Sequence, residues 1–130
     1  MILLDTHTVI WLMIAPERLS KRAGAAILQA SRDGEEIACS QISFYEIAYS
    51  AFRKRLLLSC PVKDFIAAIQ TKLKVIPLTT PIALCAAELP APFHGDPMDR
   101  IIAATAIVEG CILITKDEKI QQANLCKLLW

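Results

Sequence analysis

Apolar residues fall along this chain in short runs, separated by longer stretches in which they recur at helical spacing. Ile2–Leu4 is a run closed by Asp5 and predicts a buried strand. Thr6 is the expected cap of a helix over His7–Ile14, which Pro16 stops. Ser20 opens a second helix, SKRAGAAILQASRDG, with Gly34 as its terminator. Glu36–Cys39 reads as strand two. Ser43-Phe44-Tyr45-Glu46 then matches the S-x-x-E capping box, for a helix through about Lys54. A weaker helical pattern covers Val62–Lys72, and Lys74–Pro77 is strand three. Thr80-Pro81 is a cap followed by proline, for a helix to Leu89. Pro90, Pro92 and Gly95 mark a loop. Cys111–Thr115 is strand four, Asp117 precedes a short helical piece, and Lys127–Trp130 fits a fifth strand.

Between that loop and strand four lies HGDPMDRIIAATA, His94–Ala106. Pro97 suits the first position of a helix, where no N–H is needed. Asp96 is then the N-cap and Asp99 stands in the first turn. From Ile101 to Val108 there is almost no polar face, so this helix should be buried on most sides until Gly110 ends it. A mostly buried helix thus opens with two carboxylates.

Short apolar strands alternating with helices predict a parallel α/β sheet covered on both faces. In such sheets, sites gather at the carboxyl ends of strands near the switch in strand order. Asp5 ends strand one, Asp117 follows strand four, Glu46 opens the helix after strand two, and Asp99 opens the helix that feeds strand four. Four acids therefore occupy one kind of topological position. Glu46, Asp96 and Asp99 also have plain structural roles as caps and dipole partners, each worth about 1 kcal/mol or less. Asp5 does not. A carboxylate directly after a buried strand loses hydration unless something pairs it. Arg100 could pair one acid but not four. A divalent ion could, and oxygen ligands suit Mg²⁺ or Mn²⁺. Such an ion neutralises phosphate oxygens and acidifies water, as phosphodiester hydrolysis requires.

Composition narrows this further. A length of 130 residues fits one domain with a real core. Apolar residues make up 55%, and the mean hydropathy is +0.45. No apolar run approaches the ~18 residues of a membrane span. Met1–Ala15 carries Asp5 and His7 without a basic leader, a poor export signal. The five cysteines are scattered among apolar neighbours and never form CxxC, so a reducing, cytoplasmic setting without disulfides or zinc is expected. The net charge of +1 gives no global attraction to nucleic acid. Phosphate contacts must be local, with Arg100, Lys116 and Lys119 flanking the acids and Arg53-Lys54-Arg55 at a helix end. His7 reads equally as a polar helix-start residue or a ligand. His94 reads as loop. Trp11, Phe44, Tyr45, Tyr49 and Phe52 sit at helical spacings and read as core or interface, and 6% aromatics gives no support for a base-stacking platform.

Four stretches together, LLDTHTVIW, SFYEIA, HGDPMDRIIAATA and ILITKD, resemble the PIN domain, and more narrowly the VapC-like ribonuclease toxins of bacterial toxin–antitoxin pairs. The resemblance spans the whole chain, 1–130, as a single domain. It implies a three-layer α/β/α fold with a five-stranded parallel sheet in order 3-2-1-4-5. It also implies an endoribonuclease site using Mg²⁺ or Mn²⁺. Matched residue by residue, the acids are Asp5, Glu46, Asp99 and Asp117, with Asp96 as an auxiliary acid and Thr6 and Thr115 as hydroxyls that orient them. Asp5 and Asp99 are expected to hold the ion directly, and Asp117 and Glu46 through water or a second, weaker ion. Arg100 and Lys116 are expected near the substrate. The resemblance further implies a homodimer and a small cognate antitoxin whose tail fills the acidic groove, with no organic cofactor and no membrane.

Two other readings compete. A haloacid-dehalogenase-like phosphatase also places an aspartate after its first strand, but it needs a second aspartate two residues on, where this chain has His7. A PIN-fold interaction protein without catalysis would not need the intact acid set.

Overall fold

The central strand of the sheet is β1 (Ile2–Leu4), flanked by β2 (Ile37–Ser40) and β4 (Ile112–Ile114). β3 (Lys74–Ile76) and β5 (Leu128–Leu129) form the edges, and every pairing is parallel. The order is 3-2-1-4-5. The computed structural model describes residues 1–90 and 96–130. Pro92, His94 and Gly95 therefore lie outside the described residues.

The side-chain alternation of β1 divides the core in two. Ile2 and Leu4 face α1 (Thr6–Ile14), α2 (Lys21–Arg32), α3 (Ile42–Phe52) and α4 (Val62–Lys72). Leu3 faces α5 (Thr80–Glu88), α6 (Pro97–Glu109) and α7 (Glu118–Ala123). Both faces are covered, as an all-parallel sheet of Ile and Leu requires. Among the described residues, no helix is long and apolar enough to cross a membrane.

Several expected helix starts move by a residue, for physical reasons. Asp5, not Thr6, caps α1: its carboxylate accepts from the Thr8 N–H at 2.9 Å. Thr6 begins the helix and turns its hydroxyl toward α3. The capping box at Ser43 does not form. Gln41 precedes α3 without a side-chain cap, and Ser43 lies inside the first turn, buried. Thr79, not Thr80, caps α5, accepting from the Ile82 N–H. Strand two runs one residue later than its apolar run suggests, because Ser40 completes the pairing with Ile76.

The helix α6 starts and stops where expected. Asp96 accepts from the Asp99 N–H at 2.9 Å, Pro97 follows, and Gly110 takes the left-handed conformation (φ 63°) that closes the C-terminus. An L side chain there would be strained by about 1–2 kcal/mol. Burial is narrower than the sequence suggests: Ile102–Ala106 are buried, while Ile107 and Val108 stand partly in solvent. Of the cysteines, Cys39 and Cys111 are buried and Cys85 and Cys126 partly so, but Cys60 is exposed and belongs to no core.

Candidate active site

β1 lies between β2 and β4, so the strand order reverses across it. At the carboxyl ends of β1 and β4 is a small pocket of about 160 Å³ lined by Asp5, Glu46, Asp96, Asp99 and Asp117, with Thr6 and His7 on its wall. The topology that brings them together is the crevice expected of an open parallel sheet.

Four of the five acids, Asp5, Glu46, Asp96 and Asp117, accept hydrogen bonds from backbone or hydroxyl donors. Asp5 is 5% exposed. One of its oxygens accepts from the Thr8 N–H and the other from the Thr115 hydroxyl. Thr115 is fully buried and works in both directions, since its oxygen also accepts from the Asp117 N–H at 3.0 Å. Asp117 caps α7 by accepting from the Ile120 N–H at 2.9 Å. Thr6 donates to Glu46 Oε1 at 2.5 Å and contacts Ser43 Oγ at 2.9 Å. The hydroxyls Thr6 and Thr115 thus fix the two acids that come from different elements. Glu46 caps nothing.

The tightest group is not the one the sequence singled out. Glu46, Asp96 and Asp99 each offer a carboxylate oxygen within 4.8 Å of the others. Asp5 and Asp117 face the same pocket from its far walls. Asp96, expected as an auxiliary acid, is exposed and belongs to this group of three, because the cap it makes sets its carboxylate beside Asp99.

Crowding like charges raises carboxyl pKa values. Burial pushes Asp99 up to about 7, reinforced by the charges of Asp96, Asp117, Glu46 and Asp5. Glu46 is also raised, first by burial and then by Asp96 and Asp5, against the Thr6 hydrogen bond and His7, which pull it down. Among the described residues, none of the five acids forms an ion pair; the pairs present, Met1–Glu35 and Lys74–Glu36, lie elsewhere. Five carboxylates around one small pocket, with no ion-pairing cation among the described residues, fit a hard divalent ion.

Arg100 is not part of this pocket. Its guanidinium donates to the carbonyls of Ala86 at 3.1 Å, Ala87 at 3.4 Å and Leu89 at 2.9 Å, tying α6 to the end of α5. These contacts are structural: α5 leaves its last carbonyls open to a donor, and Arg100 supplies it. Lys116 does flank the acids. It lies 5.5 Å from the Trp11 ring centroid, with Arg18 at 4.8 Å from the same ring. Trp11 itself is buried against Trp130.

The core reading fails for three aromatic residues of α3. Tyr45, Tyr49 and Phe52 are exposed, and the first two line a second cleft beside Glu46 and Asp96.

Comparison with known proteins agrees with this geometry. Residues 2–125 match the PIN domain family. The chain is 38% identical over 120 residues to Ribonuclease VapC22 of Mycobacterium tuberculosis, covering 92% of this chain and 89% of that protein. Solved structures with the same fold include VapBC2 from Rickettsia felis bound to a promoter DNA fragment (TM-score 0.74, 17% identity, 99% of this chain and 98% of that one). Another is a toxin–antitoxin complex from Klebsiella pneumoniae (TM-score 0.68, 21% identity, 100% and 97%). A five-stranded parallel sheet with an acid pocket at the β1–β4 carboxyl ends, matched along nearly its whole length, makes this chain a member of the PIN domain family and a relative of the VapC ribonucleases.

Proposed function

We propose that this protein is an endoribonuclease that hydrolyses RNA phosphodiester bonds with Mg²⁺ or Mn²⁺, and that it is the toxin of a toxin–antitoxin pair. The observation that carries the proposal is the convergence of five carboxylates, with no ion-pairing cation among the described residues, in a relative of a named ribonuclease. The family match also removes the phosphatase reading.

In this reading, Asp5 and Asp99 are the direct ligands, and Glu46, Asp96 and Asp117 complete the set. The ion, when bound, supplies positive charge for phosphate oxygens and lowers the pKa of the attacking water. The chain's own residues do the rest. Thr115 and Thr8 keep both Asp5 oxygens in place, so the carboxylate is oriented before any ligand arrives. Thr6 does the same for Glu46. With pKa near 7, Asp99 carries a proton part of the time and must release it to act as a ligand. Lys116 and Arg18, both beside Trp11, offer cationic groups to the backbone of an RNA strand leaving the pocket.

The partners of this reading are a cognate antitoxin, seated over the acidic groove, and a second copy of the chain. Solved structures of the same fold include toxin–antitoxin complexes, and several large apolar side chains here, Leu78 and Leu84 among them, stand exposed.

The test is cleavage of single-stranded RNA by the purified chain. Cleavage is expected with Mn²⁺ and none with EDTA. Asp5→Asn and Asp99→Asn each abolish it while the circular dichroism spectrum is unchanged. Full cleavage by a folded, Mn²⁺-loaded Asp5→Asn protein would contradict the assignment.

A further inference from the structure

The acid pocket shares walls with two larger clefts, and they differ in chemistry. One, of about 430 Å³, shares Asp5, His7 and Asp117 with the pocket and adds Trp11, Arg18 and Lys116. The other, of about 350 Å³, shares Glu46 and Asp96 and adds Tyr45, Tyr49 and Arg55. A strand crossing the acids passes from one to the other.

In the first cleft the indole of Trp11 is not available to a base, and the exposed ring there is the smaller imidazole of His7, 5.8 Å from Trp11. Trp11 is buried, its ring packed at 5.7 Å from Trp130 and overlaid by Arg18 and Lys116. This cleft offers mainly charge, from Arg18 and Lys116, beside one imidazole. The second offers rings. Tyr45 is 53% exposed and Tyr49 37%, with ring centroids 5.8 Å apart and planes tilted by 41°. Arg53 lies 3.5 Å over the Tyr49 ring. Tyr49 is thereby engaged by a cation and by its neighbour, and Tyr45 is left as the more exposed ring. Leaving two large rings half in water beside a catalytic pocket has no benefit for folding.

We infer that Tyr45, braced by Tyr49 and Arg53, stacks the base of the RNA nucleotide on the Glu46 side of the scissile phosphate, with Arg55 toward that nucleotide's phosphate. The inference rests on the ribonuclease reading above and adds a substrate-binding residue and a direction: base on the Tyr45 side, backbone on the Lys116 side. Aromatic stacking is tolerant of base identity, since every base has a π-face. The cleft volume lies at the small end of ligand pockets, about 300–1,000 Å³, which favours a single unpaired nucleotide over a duplex or a protein helix. Two of its walls are proposed catalytic acids, so its occupant is continuous with whatever the acids act on.

The test uses a fluorescent single-stranded oligoribonucleotide and copies of it with one base removed at successive positions. Binding is measured by anisotropy in an Asp99→Asn background, which prevents cleavage. Tyr45→Ala is expected to weaken binding about fivefold or more, and Tyr45→Trp to restore it. At one position, removing the base should cost the Tyr45 protein the same factor and the Tyr45→Ala protein nothing further. Unchanged binding by Tyr45→Ala, or equal losses for both proteins at every abasic position, overturns the inference. So does a changed sedimentation coefficient with RNA affinity intact, which makes the ring a protein contact. Cleavage by the unmodified protein with Mn²⁺ is read separately. If cleavage occurs and Tyr45→Ala binds normally, only the stacking inference falls; if neither cleavage nor binding occurs, the ribonuclease reading falls with it.

Discussion

Asp99 carries the strongest electrostatic signature in the site. Its carboxyl titrates near 7 instead of 3.8 because burial and four neighbouring acids penalise its charge. Between about pH 4 and 7 the folded protein therefore keeps a proton that the unfolded chain releases. Raising the pH through that window costs stability, and above it the penalty is fully present. In EDTA, thermal melts followed by circular dichroism should show a lower midpoint at pH 8 than at pH 5. Asp99→Asn should flatten that difference and raise the midpoint at pH 8. A variant with the wild-type pH profile would mean that Asp99 is not strained by its neighbours. What sequence could show at this scale was residue type and rough position. Asp5, Glu46, Asp99 and Asp117 were legible because each follows a strand or opens a helix. The carbonyl contacts of Arg100 were not legible, because nothing local announces that the end of α5 will present three carbonyls to it.

At the scale of elements, α6 joins stability to the site. Its cap residue, Asp96, satisfies the Asp99 N–H and adds a negative charge next to the Asp99 carboxylate. Cap and charge separate by substitution. Asp96→Asn keeps an N-cap side chain and removes the charge; Asp96→Ala removes both. Urea unfolding at pH 7.5 should place Asp96→Ala about 1 kcal/mol below Asp96→Asn. Equal stabilities would show that the cap contributes nothing. Helix positions were readable from apolar spacing and prolines, but the identity of the cap was not always. Asp5 outcompeted Thr6, and the Ser43 box was lost, because Thr6 found a partner in Glu46 across the α1–α3 contact. A capping motif is local, whereas this hydrogen bond joins residues far apart in sequence.

The whole molecule is a sheet with two cores, and Leu3 is fully buried in the one on the α5–α7 side. Leu3→Ala should cost about 2–5 kcal/mol, as truncation of a fully buried leucine does. Phe52→Ala, at a ring 75% exposed, should stay within about 0.5 kcal/mol of wild type by the same urea titration. The two-sided packing was legible from the alternation of strands and helices, but the strand order only from the resemblance of the acid-bearing stretches to one family, since alternation alone permits several orders. The second cleft was not legible, because exposure of Tyr45 and Tyr49 depends on which helices leave α3 uncovered. What unites the scales is a pocket of carboxylates assembled to hold a divalent ion. The most direct measurement is a calorimetric Mn²⁺ titration at pH 6.5, repeated in buffers of different ionisation enthalpy. Saturable binding with proton release is expected for the wild-type chain, and loss of both with Asp99→Asn. No binding at millimolar Mn²⁺, or identical isotherms for the two proteins, would contradict the account.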